Sequence, residues 1–250
     1  MQRNLRIYYT SDTHGFFSPI DYASGAPAAS GLINCMNKFQ NDGNTLIIDG
    51  GDTLQGSPFT YWLYSQQRGG DCVPARLLNF GGYDFITLGN HDFNYGRAEL
   101  ERYIAALEAK CLCANVDGLR GVKKYAVVTL ENGLRVGLTG IVTHYVNRWE
   151  KPENLEGIIV TEAFPAARAA LELLKAEKVD LTVCIYHGGF ENDLKTGAPL
   201  SNTGENQGWR ICQELDFDVL LCAHQHMPAE NLCIGGTYSC QPPDKARQYI

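Results

Sequence analysis

Hydrophobic and polar positions along this 250-residue chain switch between two patterns. Short, nearly continuous apolar runs fit strands covered on both faces. Between them lie stretches with helical spacing. The runs Leu5 to Thr10, Thr45 to Asp49, Phe85 to Leu88, Leu112 to Val116, Val179 to Tyr186 and Asp218 to Cys222 predict strands. Ala28 to Gln40, with Leu32, Met36 and Phe39 on one side, predicts a helix. So do Val73 to Phe80, Arg97 to Lys110, Glu162 to Glu177 and Glu205 to Leu215. Tyr125 to Leu130 and Leu134 to Ile141 predict a hairpin, because the Asn132-Gly133 pair between them suits a tight turn. Short strands are expected near Leu232 and Tyr238. Strands alternating with helices imply an α/β protein, and the hairpin makes the sheet mixed. No repeat, low-complexity tract or interdomain linker is visible. The polar, Gly-rich stretch 188–206 is long for a structureless loop, a length that usually has a functional reason.

Composition narrows the function class. At 44% hydrophobic and 20% charged, the chain fits a globular protein, and no apolar run approaches the ~20 residues of a membrane span. Met1-Gln2-Arg3-Asn4 leads straight into the first strand without an apolar signal segment, so a cytoplasmic location is expected. Nine cysteines are scattered with no C-x-x-C pair. Free thiols are therefore expected rather than a disulfide framework or a cysteine zinc site. The net charge of −7 argues against a long nucleic-acid footprint, which needs a basic face. It does not exclude a small phosphorylated substrate, because bound metals reverse the local field.

Five of the six histidines sit in short motifs after strand-like runs. These are Asp12-Thr13-His14, Asn90-His91-Asp92, His187-Gly188-Gly189 and His224-Gln225-His226, with Gly50-Gly51-Asp52 between the first two. Residues i and i+2 of a strand share a face, so Asp12 and His14 can reach one ion, as can His224 and His226. Carboxylate with imidazole suits zinc, manganese or iron better than calcium. Two ions ~3.5–4 Å apart need a bridging group, and Asp52 is the candidate. Asn90 offers a neutral amide oxygen that adds a ligand without further negative charge. Each motif alone has a plain structural reading, as a turn, a helix cap or a satisfied strand-end histidine. Together, at strand ends, they point to a two-metal centre. His144 reads as a loop histidine. The rings Phe16, Phe17, Phe59, Tyr61, Trp62 and Phe190 read as core or interface packing.

The ordered set Asp-x-His, Gly-Asp, Gly-Asn-His-Asp, His-Gly-Gly and His-x-His spans residues 12 to 226 and resembles the calcineurin-like metallophosphoesterases. Asn90-His91-Asp92-Phe93-Asn94-Tyr95-Gly96 and Gly204-Glu205-Asn206-Gln207-Gly208 narrow the resemblance. They are similar to the catalytic domain of the bacterial 5′-nucleotidase, UDP-sugar hydrolase and 2′,3′-cyclic phosphodiesterase group. The resemblance implies one such domain over residues 1–250, a four-layer α/β/β/α sandwich of two mixed sheets. It implies one metal held by Asp12, His14, Asp52 and His226, and a second held by Asp52, Asn90, His187 and His224. His91 is implied as the catalytic histidine that is not a ligand. Asp92 and Asn94 are grouped with it as candidate catalytic residues.

The expected chemistry is in-line attack on phosphorus by a metal-bound hydroxide, with His91 and two divalent ions (Mn, Zn or Fe) stabilising charge on the phosphoryl oxygens. A small phosphorylated substrate, a nucleotide, is expected. Two departures bear on the branch. Many 5′-nucleotidases carry an aspartate three residues after the catalytic histidine, whereas here the residue is Asn94, as in cyclic-phosphodiesterase relatives. Full-length relatives also continue into a C-terminal domain that stacks the base, which is expected to be missing from this chain. The alternatives are a cyclic-nucleotide phosphodiesterase, a UDP-sugar pyrophosphohydrolase, a weakly catalytic metal-binding domain that needs a partner domain, and, less favoured by charge, a nuclease.

Overall fold

The computed structural model describes residues 3–66 and 70–244. Its first sheet has the order β1-β2-β3-β4, with strands Arg6–Thr10, Thr45–Asp49, Phe85–Ile86 and Lys110–Cys111, all paired in parallel. The connections carry the helices α1 (Leu32–Met36), α2 (Pro58–Gln66), α3 (Val73–Phe80) and α4 (Arg97–Ala106). A two-stranded ribbon pairs β5 (Val116–Asp117) with β8 (Ile159–Val160).

The second sheet has six strands in the order β11-β12-β10-β9-β7-β6. They are β6 (Tyr125–Thr129), β7 (Arg135–Val142), β9 (Leu181–His187), β10 (Val219–Cys222), β11 (Ala229–Ile234) and β12 (Thr237–Gln241). Parallel pairing at its centre and an antiparallel hairpin at each edge make it mixed. The remaining helices are α5 (Val146–Trp149), α6 (Ala163–Ala176) and α7 (Gly208–Glu214).

The layering follows from alternation along the strands. On β2, Leu46 and Ile48 face the apolar layer between the sheets, while Ile47 joins the core under the first set of helices. On β9, Val183 and Ile185 face that same middle layer, while Cys184 and Tyr186 pack with Phe164, Leu171 and Ile211 of α6 and α7. Three apolar layers thus separate helix, sheet, sheet and helix, the expected α/β/β/α sandwich. Only the larger sheet is mixed, where two mixed sheets were expected: the smaller is wholly parallel among the described residues, because every return between its strands runs through a helix or loop on its outer face.

The helix expected over 28–40 shrinks to Leu32–Met36. Gly31 has φ 90°, a backbone conformation that an α-helix cannot include, and a Cβ there would lie 2.3 Å from the Ser18 carbonyl oxygen, so glycine is required at the break. The strand expected over 112–116 is instead split between β4 and β5. Helix α2, unforeseen, buries Thr60, Leu63 and Tyr64. The cysteines are free thiols among the described residues, as expected.

Against the expectation of no repeat, two seven-residue stretches match in sequence and in fold. Asp21-Tyr22-Ala23-Ser24-Gly25-Ala26-Pro27 and Asp193-Leu194-Lys195-Thr196-Gly197-Ala198-Pro199 share the pattern D-x-x-[ST]-G-A-P. Both fold into the same small turn. In each, the Asp Oδ1 accepts from the Ser or Thr hydroxyl at 2.8 Å, and the Gly N–H reaches the Asp carbonyl, at 2.7 and 2.8 Å. Seven residues are too few to register as a repeat in the chain at large. No described helix is long and apolar enough to cross a membrane.

Candidate metal centre and active site

Five motif-bearing loops leave the C-terminal ends of β1, β2, β3, β9 and β10, and the two sheets bring them to one edge. Backbone hydrogen bonds lace the first two loops together: Gly50 N–H to Thr10 O (2.7 Å), Asp12 N–H to Gly51 O (2.9 Å) and His14 N–H to Asp52 O (2.8 Å). Gly51 and Gly89 are in close contact. A Cβ on Gly51 would lie 2.3 Å from the Gly89 nitrogen, so glycine is required where the second and third loops meet. Asp12, His14, Asp52, His224 and His226 all have φ between 49° and 74°. Left-handed backbone costs a non-glycine residue ~1–3 kcal/mol, and such strain held at five convergent side chains marks a site built for a task.

Two triads result. Asp12, His14 and His226 present ligand atoms within 4.8 Å of one another, and so do Asp52, His187 and His224. His14 and His226 point their Nε2 atoms at each other across 3.0 Å, and His226 Nε2 is 3.3 Å from Asp12 Oδ1. In the second triad His187 Nε2 lies 3.3 Å from Asp52 Oδ2 and 3.2 Å from Asn90 Oδ1. Asp52 stands between the groups. Its Oδ1 accepts the His91 backbone N–H (2.7 Å), while its Oδ2 faces His187 and, at 3.9 Å, His14 Nε2. Asp12, Asp52 and His187 form a buried floor, and His91, His224 and His226 form the accessible rim.

The ring tautomers are set from behind. The Gln55 carbonyl (2.8 Å) takes His14 Nδ1–H and the Gly50 carbonyl (2.6 Å) takes His187 Nδ1–H, which leaves both Nε2 atoms for an ion. Glu205 Oε1 takes His224 Nε2–H at 2.9 Å, which leaves Nδ1. Such backing is how metal-binding histidines are usually held. The donor set of imidazole, carboxylate and amide oxygen fits a pair of divalent ions.

The electrostatics agree with a site that wants positive charge. Burial works against a charged His187, but Asp52 and Asp12 outweigh it and raise its pKa to about 10. Burial likewise works against the Asp12 carboxylate, and the hydrogen bond from His226 and the charge of His187 bring it below its ordinary range. His224 is pushed down by burial and by His187, whereas the hydrogen bond to Asp12 raises His226.

The remaining residues divide. His91 stands beside the first triad, its ring centroid 5.4 Å from that of His14. Asn94 Oδ1 is 2.8 Å from His91 Nδ1, so these two are together. Asp92 does not join them. It is buried, and its carboxylate accepts the backbone N–H groups of Asp52 (3.0 Å), Thr53 (2.9 Å), Leu54 (3.0 Å) and Gly89 (2.8 Å). It clamps the loop that carries Asp52, which is a positioning task. His144 lies on a loop, 3.4 Å from Glu162 Oε2. Phe17 and Phe190 are core residues, whereas Tyr61 and Trp62 are exposed.

Sequence reasoning missed Glu205, Gln55 and Asp49. Asp49 accepts from the hydroxyls of Thr10 (2.7 Å) and Thr53 (2.9 Å) under the site, and burial raises its pKa to about 7. The Gly204-Glu205-Asn206-Gln207-Gly208 stretch was the available signal for Glu205.

Two metal-type triads at the meeting edge of two sheets, with the Asp52 carboxylate facing a histidine of each and His91 outside both, define a metal-dependent phosphoesterase. The chain belongs to the calcineurin-like phosphoesterase family, whose sequence model matches residues 5–228.

The trifunctional nucleotide phosphoesterase protein YfkN of Bacillus subtilis is 29% identical over 250 residues, covering 90% of this chain and 17% of that protein. A solved structure of the calcineurin-like phosphoesterase YfkN superposes with a TM-score of 0.80 at 26% identity, over 97% of this chain and 82% of that one. A Yersinia enterocolitica 2′,3′-cyclic-nucleotide 2′-phosphodiesterase/3′-nucleotidase is 25% identical over 89% of this chain and 36% of its own length. A Vibrio vulnificus 5′-nucleotidase is 26% identical over 90% of this chain and 40% of its own length. The chain thus spans well under half of these curated relatives.

Proposed function

We propose that this chain hydrolyses nucleotide phosphoesters by in-line displacement at a two-metal centre, with 5′-nucleotidase-like activity. The observation that carries this reading is Asp52 Oδ2, a single oxygen facing the histidines of both triads, with His91 on the open side. Asp12, His14, Asp52 and His226 would hold one divalent ion, and Asp52, Asn90, His187 and His224 the other. Bound there, a divalent pair supplies a nucleophilic water at neutral pH and offsets charge on the phosphoryl oxygens. The chain's own residues do the rest. Gln55, Gly50 and Glu205 hold the imidazoles in their ligating tautomers. Asp92 fixes the loop of Asp52. His91, not committed to either triad, keeps its Nδ1–H on Asn94 and, with a second proton on Nε2, donates from there to a phosphoryl oxygen and stabilises the charge that develops.

A second reading, a 2′,3′-cyclic-nucleotide phosphodiesterase, is favoured by Asn94 in place of an aspartate behind His91. Hydrolysis of 5′-AMP, 3′-AMP, 2′,3′-cyclic AMP and UDP-glucose by the metal-free protein, with and without added manganese or zinc, tests both. Metal-dependent release of phosphate from 5′-AMP supports the first reading, and preference for the cyclic substrate supports the second. No turnover with two ions bound would contradict both.

A further inference from the structure

Asn94 is only the first member of a chain of hydrogen bonds behind His91. Its Oδ1 meets His91 Nδ1 at 2.8 Å, and its Nδ2 donates to Glu150 Oε2. Glu150 is 56 residues further along the chain and follows α5. Its other oxygen, Oε1, accepts from the Lys151 backbone N–H (2.7 Å) and from Asn154 Nδ2 (2.8 Å). Asn154 Nδ2 also donates to the Asn94 carbonyl at 3.1 Å. The Glu150 carboxylate is therefore held at one oxygen and aimed at Asn94 with the other. The preceding residue, Trp149, stacks on His224 with ring centroids 5.4 Å apart, so this segment lies against the metal site.

The chemistry of the groups sets a direction. A carboxylate offers only acceptors, so the Asn94 amide must turn its NH₂ toward Glu150. Its oxygen then faces His91 and accepts the Nδ1 proton. With the proton fixed on Nδ1, a neutral His91 has a bare Nε2, and a protonated His91 has a donor there. Without Glu150 the amide could turn over, present NH₂ to Nδ1 and select the opposite tautomer.

We propose that Glu150 is a positioning residue for His91, acting through Asn94, so that a His–Asn–Glu relay stands where a direct His–carboxylate pair would serve. This rests on the reading of His91 as the catalytic histidine, but the relay itself has a readout that does not depend on turnover.

The test combines nitrogen-15 NMR of the histidine rings in the zinc-loaded protein, with His91 assigned through His91→Asn, and steady-state kinetics on the preferred phosphoester. Wild type is expected to hold the Nδ1–H tautomer of His91. Glu150→Ala is expected to lose that single tautomer and to lower kcat about tenfold with KM nearly unchanged. Glu150→Gln, whose amide oxygen still accepts from Asn94, should lose less. Asn94→Asp alone sets two carboxylates against each other. Asn94→Asp with Glu150→Gln exchanges the groups, and is expected to recover about tenfold over Asn94→Asp alone.

An unchanged tautomer and kcat in Glu150→Ala would overturn the relay, and so would simple additivity of the Asn94→Asp and Glu150→Gln effects. Should Glu150→Ala fail to fold, the Asn94→Asp and Glu150→Gln pair still decides. If no phosphoester is turned over by wild type, the functional reading fails, while the tautomer measurement still supports or overturns the relay.

Discussion

Replacing Asp52 with asparagine removes one charge from the position where the two triads meet. Asp52 is buried, accepts the His91 N–H through Oδ1 and faces His187 and His14 through Oδ2. Asparagine can keep one of these roles but not both, because its second atom is an NH₂ group. In the metal-free protein the charge of Asp52 is the leading reason His187 rises from the ordinary 6.5 to about 10 against its burial. The rise is what the attraction of Asp52 and Asp12 leaves after the opposing burial, a net preference for protonated His187 on the order of 5 kcal/mol at ~1.36 kcal/mol per pH unit. A folded pKa above the unfolded one gives stability that is complete below about 6.5 and is lost as the pH rises through about 10. Asp52 itself is held below its ordinary range, with His187 and His14 opposing its burial. Its share is present above the ordinary carboxylate pKa and is lost as the pH falls through the depressed one.

Asp52→Asn should therefore flatten the decline in metal-free stability between about pH 6.5 and 10, measured by denaturant melts across that range. Metal binding must displace the His187 proton. Calorimetry at pH 7.5 in two buffers of different ionisation enthalpy should show about one proton from His187 released by wild type and less by Asp52→Asn. Metal content should fall below two ions per chain, and turnover should fall with it. Full occupancy of both positions in Asp52→Asn, with an unchanged proton count, would refute the shared-carboxylate reasoning.

His91→Asn should retain both metals by elemental analysis and lose about 10²–10⁴-fold in kcat; near wild-type turnover would remove His91 from the chemistry. Glu205→Ala should weaken binding of the second ion about 10–100-fold, read by metal titration, and an unchanged affinity would dismiss its backing of His224. Asp92→Ala strands four backbone N–H groups and should destabilise the fold by at least ~3 kcal/mol. A melt within experimental error of wild type would show that the loop carrying Asp52 does not depend on that carboxylate.

The strand ends and their motifs were legible because each rests on a local pattern: an apolar run, then a turn with His, Asp or Asn at short spacing. Tertiary effects were not legible. The positive φ of Gly31 interrupts the helix, and the close approach of the Ser18 carbonyl that requires glycine there leaves no mark within 28–40. Asp92 looked catalytic because it adjoins His91, yet adjacent residues in a tight turn point different ways, and its carboxylate serves the backbone of 52–54. Glu150 and Glu205 act across 56 and 19 residues, separations at which spacing carries no geometric information. Asn94 could be seen as a departure from the nucleotidase pattern, but its meaning depends on the carboxylate behind it.

Whether two ions share Asp52 is decided by loading the protein with manganese and recording its electron paramagnetic resonance alongside metal stoichiometry. Two ions per chain are expected, with an exchange-coupled dinuclear signal that is lost in Asp52→Asn. A single ion, or two uncoupled ions, would contradict a shared Asp52.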